Sequence, residues 1–260
     1  MNATGRMPVL FVGHGSPMSA IEQNPYTAGW AALGRSLPRP KAILAVSAHW
    51  YDQGTAVTAM ERPQTIHDFY GFPKPLYEVQ YPAPGDPALA HRIRALLAPA
   101  DVALDHEWGL DHGSWSVLIH MYPHADVPVE QLKIDRSLSP AEHYALAKPL
   151  APLRDEGVLV MGSGNIVHNL RTIRWQPNAA PFDWATRFND RVRALVLAHE
   201  HATLIENPSD DDTRRSVPTP EHYLPLLYCL ALQEAEESVE IPIDGIDLGS
   251  ISMQSIRIGG

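Results

Sequence analysis

The chain has 260 residues, 45% hydrophobic and 19% charged, the composition of a globular protein long enough to bury a sizeable core. A formal net charge of −10 argues against nucleic acid or an anionic membrane surface as partner, since neither attracts an acidic protein. The single cysteine, Cys229, excludes an intrachain disulfide and a cysteine-based zinc site, and it suits a reducing compartment.

The first residues carry one early arginine and a short apolar stretch, which is not signal-peptide anatomy. No segment approaches the ~20 apolar residues of a membrane span, so a soluble cytoplasmic protein is expected. "PVLFVG" (8–13) then reads as a buried strand that stops at His14, between two glycines. "AILAVSAHW" (42–50) and "GTAVTAME" (54–61) repeat the strand signal. The proline-rich stretch 62–87 is too aromatic for a linker and reads as an ordered loop over the surface or a site. Asp86 caps a helix predicted over 87–97. In "GLDHGSWSVL" (109–118) an apolar helix starts at Ser114, and Asp111 either caps it or orients an imidazole.

"VPVEQLKID" (127–135) is a further strand, Ser139 opens a helix over 140–154, and "GVLVMGSGN" (157–165) is a strand again. Helices are predicted from Asp183 to about His201 and from Pro220 to about Glu236, the second capped by Thr219. The acidic run Asp210 to Asp212 reads as a solvated loop, and the alternating tail from Val239 reads as closing strands. Interleaved strands and helices imply one α/β domain over residues 1–260. It has three layers: a central mainly parallel or mixed sheet with helices on both faces. No internal repeat or low-complexity segment interrupts it.

Ligands of α/β proteins bind where loops at the carboxyl edge of the sheet form a crevice. Three predicted strands deliver a histidine there or just beyond: His14 after "VLFVG", His49 closing "AILAVSA", and His168 after "VLVMGSGNIV". A fourth, His222, lies at a predicted helix start. Singly, each reads better as a hydrogen-bonded core or capping residue. Together they point to a metal site, because imidazole is the commonest metal ligand near neutral pH and the fold must gather distant ligands. Gly13, Gly15, Gly162 and Gly164 are expected to clear space for a metal or ligand.

His112 has no strand edge beneath it, which points to a role behind the ligands or against substrate. His67 sits among aromatic residues, where loop packing competes with a place in the pocket wall. His91, His143, His199 and His201 fall on predicted helices and are expected at the surface, while His106, His120 and His124 carry no assignment. "GSGN" and "GHGSP" lack nucleophile-elbow spacing. Neither glycine pair completes a phosphate-binding fingerprint. Cys229 lies in the apolar run "LPLLYCLAL" as a buried thiol.

Five segments, "LFVGHGSPM", "VSAHW", "GLDHGSW", "GSGNIVHNL" and "SVPTPEHYLPLLY", together resemble the class III extradiol ring-cleavage dioxygenases. The likeness is strongest to their bacterial and plant 4,5-DOPA dioxygenase branch and runs from His14 to the terminal "GSISMQSIRIG". The resemblance implies insertion of both atoms of O₂ into a catechol with an amino-acid or acid side chain. It also implies a non-haem Fe(II) bound by two histidines and a carboxylate. His14 and His49 match the two histidines. At the third place the sequence offers Glu221 and His222, and His222 is expected to ligate. His168 matches the acid–base histidine and is also a potential fourth ligand, so that Zn(II) fits the same histidine set. His112 is expected to contact O₂ or the catecholate. Two rivals stand beside this reading: a zinc-dependent hydrolase on the same scaffold, and a non-enzymatic metal-binding interaction protein. No oligomeric state is legible.

Overall fold

Three continuous apolar runs form the centre of the molecule because strands covered on both faces need no polar side. The computed structural model describes residues 5–176, 179–207 and 209–260. The first four residues of the expected 1–260 domain, and Pro208 beside the acidic run, lie outside the described residues. The main sheet comprises β1 (Val9–Gly13), β2 (Ala42–Ser47), β3 (Val129–Gln131), β4 (Val158–Gly164), β5 (Val239–Ile243) and β6 (Ser255–Ile258). Their spatial order is β3-β2-β4-β1-β6-β5. The first four run parallel, β6 lies antiparallel to β1, and β5 antiparallel to β6, so the sheet is mixed.

Alternate residues of each central strand feed two separate cores. Val9, Phe11, Leu44, Val46, Val158 and Val160 enter one; Leu10, Val12, Ile43, Ala45, Leu159 and Met161 enter the other. On the second face lie α1 (Pro25–Ser36), through Trp30 and Leu33, and α3 (His112–Met121), through Trp115 and Leu118. The first face is covered by α2 (Pro87–Leu96), α4 (Pro140–Ala147), α5 (Asp183–Leu197) and α6 (Leu224–Leu230). Helices on both faces of a mixed sheet make the expected three layers.

Several elements depart from the sequence reading. The strand predicted over 42–50 ends at Ser47, where the chain turns and sets His49 beyond the sheet. The segment 127–135 splits into β3 and a short strand Ile134–Asp135. Thr55–Thr58 pairs with Val102–Asp105, a strand not foreseen. The helix predicted over 140–154 breaks into three pieces because Pro149 and Pro152 supply no N–H to its ladder. The helix from Asp183 stops at Leu197, His199 takes a φ of 59°, and a new helix starts at His201. The last predicted helix forms only over Leu224–Leu230, and the Thr219 hydroxyl donates to Glu221 instead of capping.

Among the described residues, Pro25–Ser36, the short Lys74–Tyr77 and Asp211–Ser216 are helices not foreseen. Asn24 and Thr27 form a capping box that starts α1. The acidic run is the first turn of Asp211–Ser216, with Asp210 accepting from the Thr213 N–H and pairing with Arg191. His143, expected at the surface, is fully buried with its Nδ1 2.9 Å from the Tyr228 hydroxyl. His201 is half-buried between Tyr144 and Gln233, while His91 and His199 are exposed as expected. Cys229 is buried and donates to the Leu10 carbonyl; burial pushes its thiol up to about 12.

Candidate active site and metal centre

Parallel pairing of β1, β2 and β4 brings their carboxyl ends to one edge, and His14, His49 and His168 follow those ends. The His14 N–H donates to the Gly164 carbonyl at 3.2 Å, and Gly15 turns the chain with a φ of 65°. His222 reaches the same place from the turn before α6, whose carbonyl accepts the Asn165 N–H at 2.9 Å. That approach explains Gly164: a Cβ there would lie 2.2 Å from the His222 carbonyl oxygen. Gly13 and Gly164 thus make room for protein backbone, and Gly162 for the Cys229 thiol and the Pro225 carbonyl, not for a ligand, which corrects the sequence reading.

The imidazoles of His14, His49 and His222 form a near-equilateral triangle, with ring centroids 5.0, 5.4 and 5.1 Å apart. Each ring has its Nδ1 engaged. Ser163 donates its hydroxyl to the Gly113 carbonyl, so its oxygen accepts the His14 Nδ1–H at 3.0 Å. His49 Nδ1 lies 3.1 Å from Asp68, and His222 Nδ1 lies 3.4 Å from Glu221. The Nε2 atoms are left over. Those of His14 and His49 face each other at 3.2 Å, and that of His222 is buried without a hydrogen-bond partner among the described residues. A tautomer fixed through Nδ1 with a free Nε2 lone pair is the donor arrangement of a metal-binding histidine. Ring nitrogens of His14, His49 and His112 also lie within 4.8 Å of one another, as do potential donors of His168, Glu221 and His222. Glu221, the alternative third ligand, is only partly buried and accepts from Thr219. The residues present therefore suit a metal ion.

Asp68 is the residue that sequence reasoning missed. Its Oδ2 accepts from His49 Nδ1, and its Oδ1 lies 2.9 Å from both the backbone N and Nδ1 of His112. Asp111, considered for this orienting role, instead caps α3 and is held by Ser47 and Gln131. His112 is buried, its ring 3.8 Å from that of His49. His168 stacks on His222 with centroids 3.4 Å apart and planes 9° off parallel. His67 stays outside the cavity, its Nε2 at the Val79 carbonyl.

Burial sets most of the charges. His14 and His222 are held well below the ordinary histidine value by desolvation and then by neighbouring imidazoles. His168 is pushed down to about 3 by desolvation, with His49 and His112 adding to it, so it is neutral near pH 7. His112 is lowered by desolvation and His49. His49 is the exception: desolvation opposes its charged form, but the Asp68 hydrogen bond and the Asp111 charge outweigh it, and its value rises. Asp68 resists the cost of burial through its bonds to His112 and His49, which hold it well below the usual carboxylate range.

A cavity of about 290 Å³ opens over these imidazoles. It lies at the small end of ligand sites. Its walls are Phe69, Phe72, Ile173 and Ile251, and its mouth carries the exposed side chains of Tyr70, Leu170 and Trp175. The aromatic loop expected to cover a site does so through Phe69, Tyr70 and Phe72.

Residues 8–248 match the family model described as the catalytic LigB subunit of aromatic ring-opening dioxygenase. The chain is 54% identical to the 4,5-DOPA dioxygenase extradiol of Escherichia coli K12, over 98% of this chain and 95% of that protein. It is 36% identical to the protein of the same name from Beta vulgaris, over 95% of each. A crystal structure of an uncharacterized Escherichia coli K12 protein superposes with a TM-score of 0.86 at 50% identity, covering 98% of this chain and all (100%) of that one. Among the described residues no helix is long and apolar enough to cross a membrane. These likenesses favour a dioxygenase over a zinc hydrolase or a binding module, and the chain belongs to the LigB family of aromatic ring-opening dioxygenases.

Proposed function

We propose that residues 1–260 form one catalytic domain that cleaves a catechol of the DOPA type beside its two hydroxyls, using O₂, in the cytoplasm. The observation that carries this reading is the triangle of His14, His49 and His222, each with its Nδ1 engaged, beneath an apolar cavity. The names of the Escherichia coli and Beta vulgaris relatives support the substrate class. His14, His49 and His222 hold the ion, which is Fe(II) for turnover, and Zn(II) fits the same nitrogens. Bound Fe(II) supplies a Lewis acid for the catechol oxygens and a redox-active path between ring and O₂.

His168, neutral in its buried place over His222, accepts a catechol proton and returns it to the oxygen that leaves when the O–O bond breaks. His112, fixed through its Nδ1 by Asp68, keeps its Nε2 for the substrate or O₂. Phe69 and Phe72 pack the ring and exclude water, so both reactants are oriented before reaction. The test is anaerobic reconstitution with Fe(II), then exposure of DOPA and simpler catechols to air. A yellow ring-cleaved semialdehyde with matching O₂ uptake is expected. Absence of a ring-cleaved product from every catechol tried overturns the reading.

A further inference from the structure

Asp68 is the one carboxylate in contact with two of the clustered imidazoles among the described residues. It arrives on the aromatic loop, immediately before Phe69 and Tyr70 of the cavity lining. The loop is fastened to α3 and its approach: the Trp115 indole N–H donates to the Ile66 carbonyl at 2.8 Å, and the Ile66 N–H donates to the Leu110 carbonyl at 2.7 Å. We propose that Asp68 is a positioning residue that locks His49 and His112 as Nδ1–H tautomers, so that one carboxylate ties the metal ligand, the substrate-facing histidine and the pocket wall into a unit. The proposal rests on the reading that His14, His49 and His222 hold the ion.

Three N–H groups converge on the Asp68 side chain: the His112 backbone N–H, His112 Nδ1–H and His49 Nδ1–H. A carboxylate offers about four lone-pair sites and no competing donor. An asparagine at the same place offers two lone pairs on one oxygen and turns an NH₂ toward the rest. At least one imidazole then faces a donor with a donor and must rotate or change tautomer, taking its Nε2 out of position. Outer partners of metal-binding histidines contribute roughly 10–100-fold to affinity or activity.

The test is Zn(II) affinity by chelator competition, read without turnover, together with the Co(II) absorption spectrum as a report of ligand geometry. Asp68→Asn is expected to weaken Zn(II) by about 10–100-fold and to change the Co(II) spectrum. Gln64→Ala, which alters the same loop at an exposed residue outside the cavity, is expected to keep the parent's Zn(II) affinity. Equal affinity and spectrum in Asp68→Asn and parent overturns the proposal, as does equal weakening by Gln64→Ala. A parent that binds no Zn(II) overturns the metal-site reading itself, which separates the two failures. Should Asp68→Asn not fold, nitrogen-15 NMR of histidine in the Zn(II)-loaded parent decides. Nδ1–H forms of His49 and His112 are expected, and an Nε2–H form of either overturns the assignment.

Discussion

His14 Nε2 and His49 Nε2 stand 3.2 Å apart, with Nδ1 of the first bound to Ser163 and Nδ1 of the second bound to Asp68. Two lone pairs held at that distance repel unless a proton or a cation lies between them. His14→Ala is expected to weaken metal binding by more than the ~10–100-fold contributed by an outer partner, and to abolish ring cleavage. Metal analysis of variant and parent purified together checks this. Equal metal content would remove His14 from the ligand set.

His168 has a different expected signature. Its ring lies flat on His222, outside the triangle of His14, His49 and His222. His168→Ala should retain metal while turnover falls ~10²–10⁴-fold, the usual worth of general acid–base help. Single-turnover kinetics on Fe(II)-loaded protein measure it. Loss of metal in step with activity would instead make His168 a ligand.

Gly164→Ala probes how the site is assembled. A Cβ 2.2 Å from the His222 carbonyl forces the two segments apart. The expected cost is about 1–3 kcal/mol of stability, as for other overpacked interiors. Displacement of His222 should lower metal affinity as well. Thermal melts and metal titration read the two effects, and an unaltered melting temperature would show that this approach is looser than the geometry implies.

Glu130 on β3 gives a pH-dependent prediction away from the imidazoles. Its buried carboxyl is raised from 4.5 to about 7 by desolvation, against hydrogen bonds from Thr58 and the Asp86 N–H. A value raised in the folded state stabilises fully below pH 4.5, and that contribution is lost as pH rises through about 7. The parent should therefore lose on the order of 3 kcal/mol relative to Glu130→Gln between pH 4.5 and 8. Denaturant melts of both proteins across that range check it; parallel curves would show that Glu130 titrates normally.

The legible parts of the fold are those governed by local pattern. β1, β2 and β4 are buried on both faces and therefore read as apolar runs, each followed within four residues by a histidine. Caps at Asp86 and Ser139 marked two helix starts, because a side chain three residues from its N–H partner is a local signal. Pro149 and Pro152 mark the break in the 140–154 helix, although helical periodicity continues through both. The Asn24–Pro25 start of α1 was also available, but the helix buries only Thr27, Trp30 and Leu33 and its apolar stripe is thin.

Asp68 illustrates the limit on the site. It meets His112 across 44 residues of chain and His49 on a different strand end, and no spacing rule connects them. The proline-rich, aromatic composition of 62–87 marked the loop as ordered, and "IHDF" was the only hint within it. His67 beside it turns to the Val79 carbonyl, while Asp68 makes the contacts to the imidazole cluster.

His14 and His49 stand just beyond strands that two separate cores clamp from above and below, and His222 stands on the turn before α6, itself part of one of those cores. The frame that receives the ion is thus built by hydrophobic packing and does not depend on the ion for its shape. Chelation should empty the protein without unfolding it, and one preparation can be reloaded in turn with different ions.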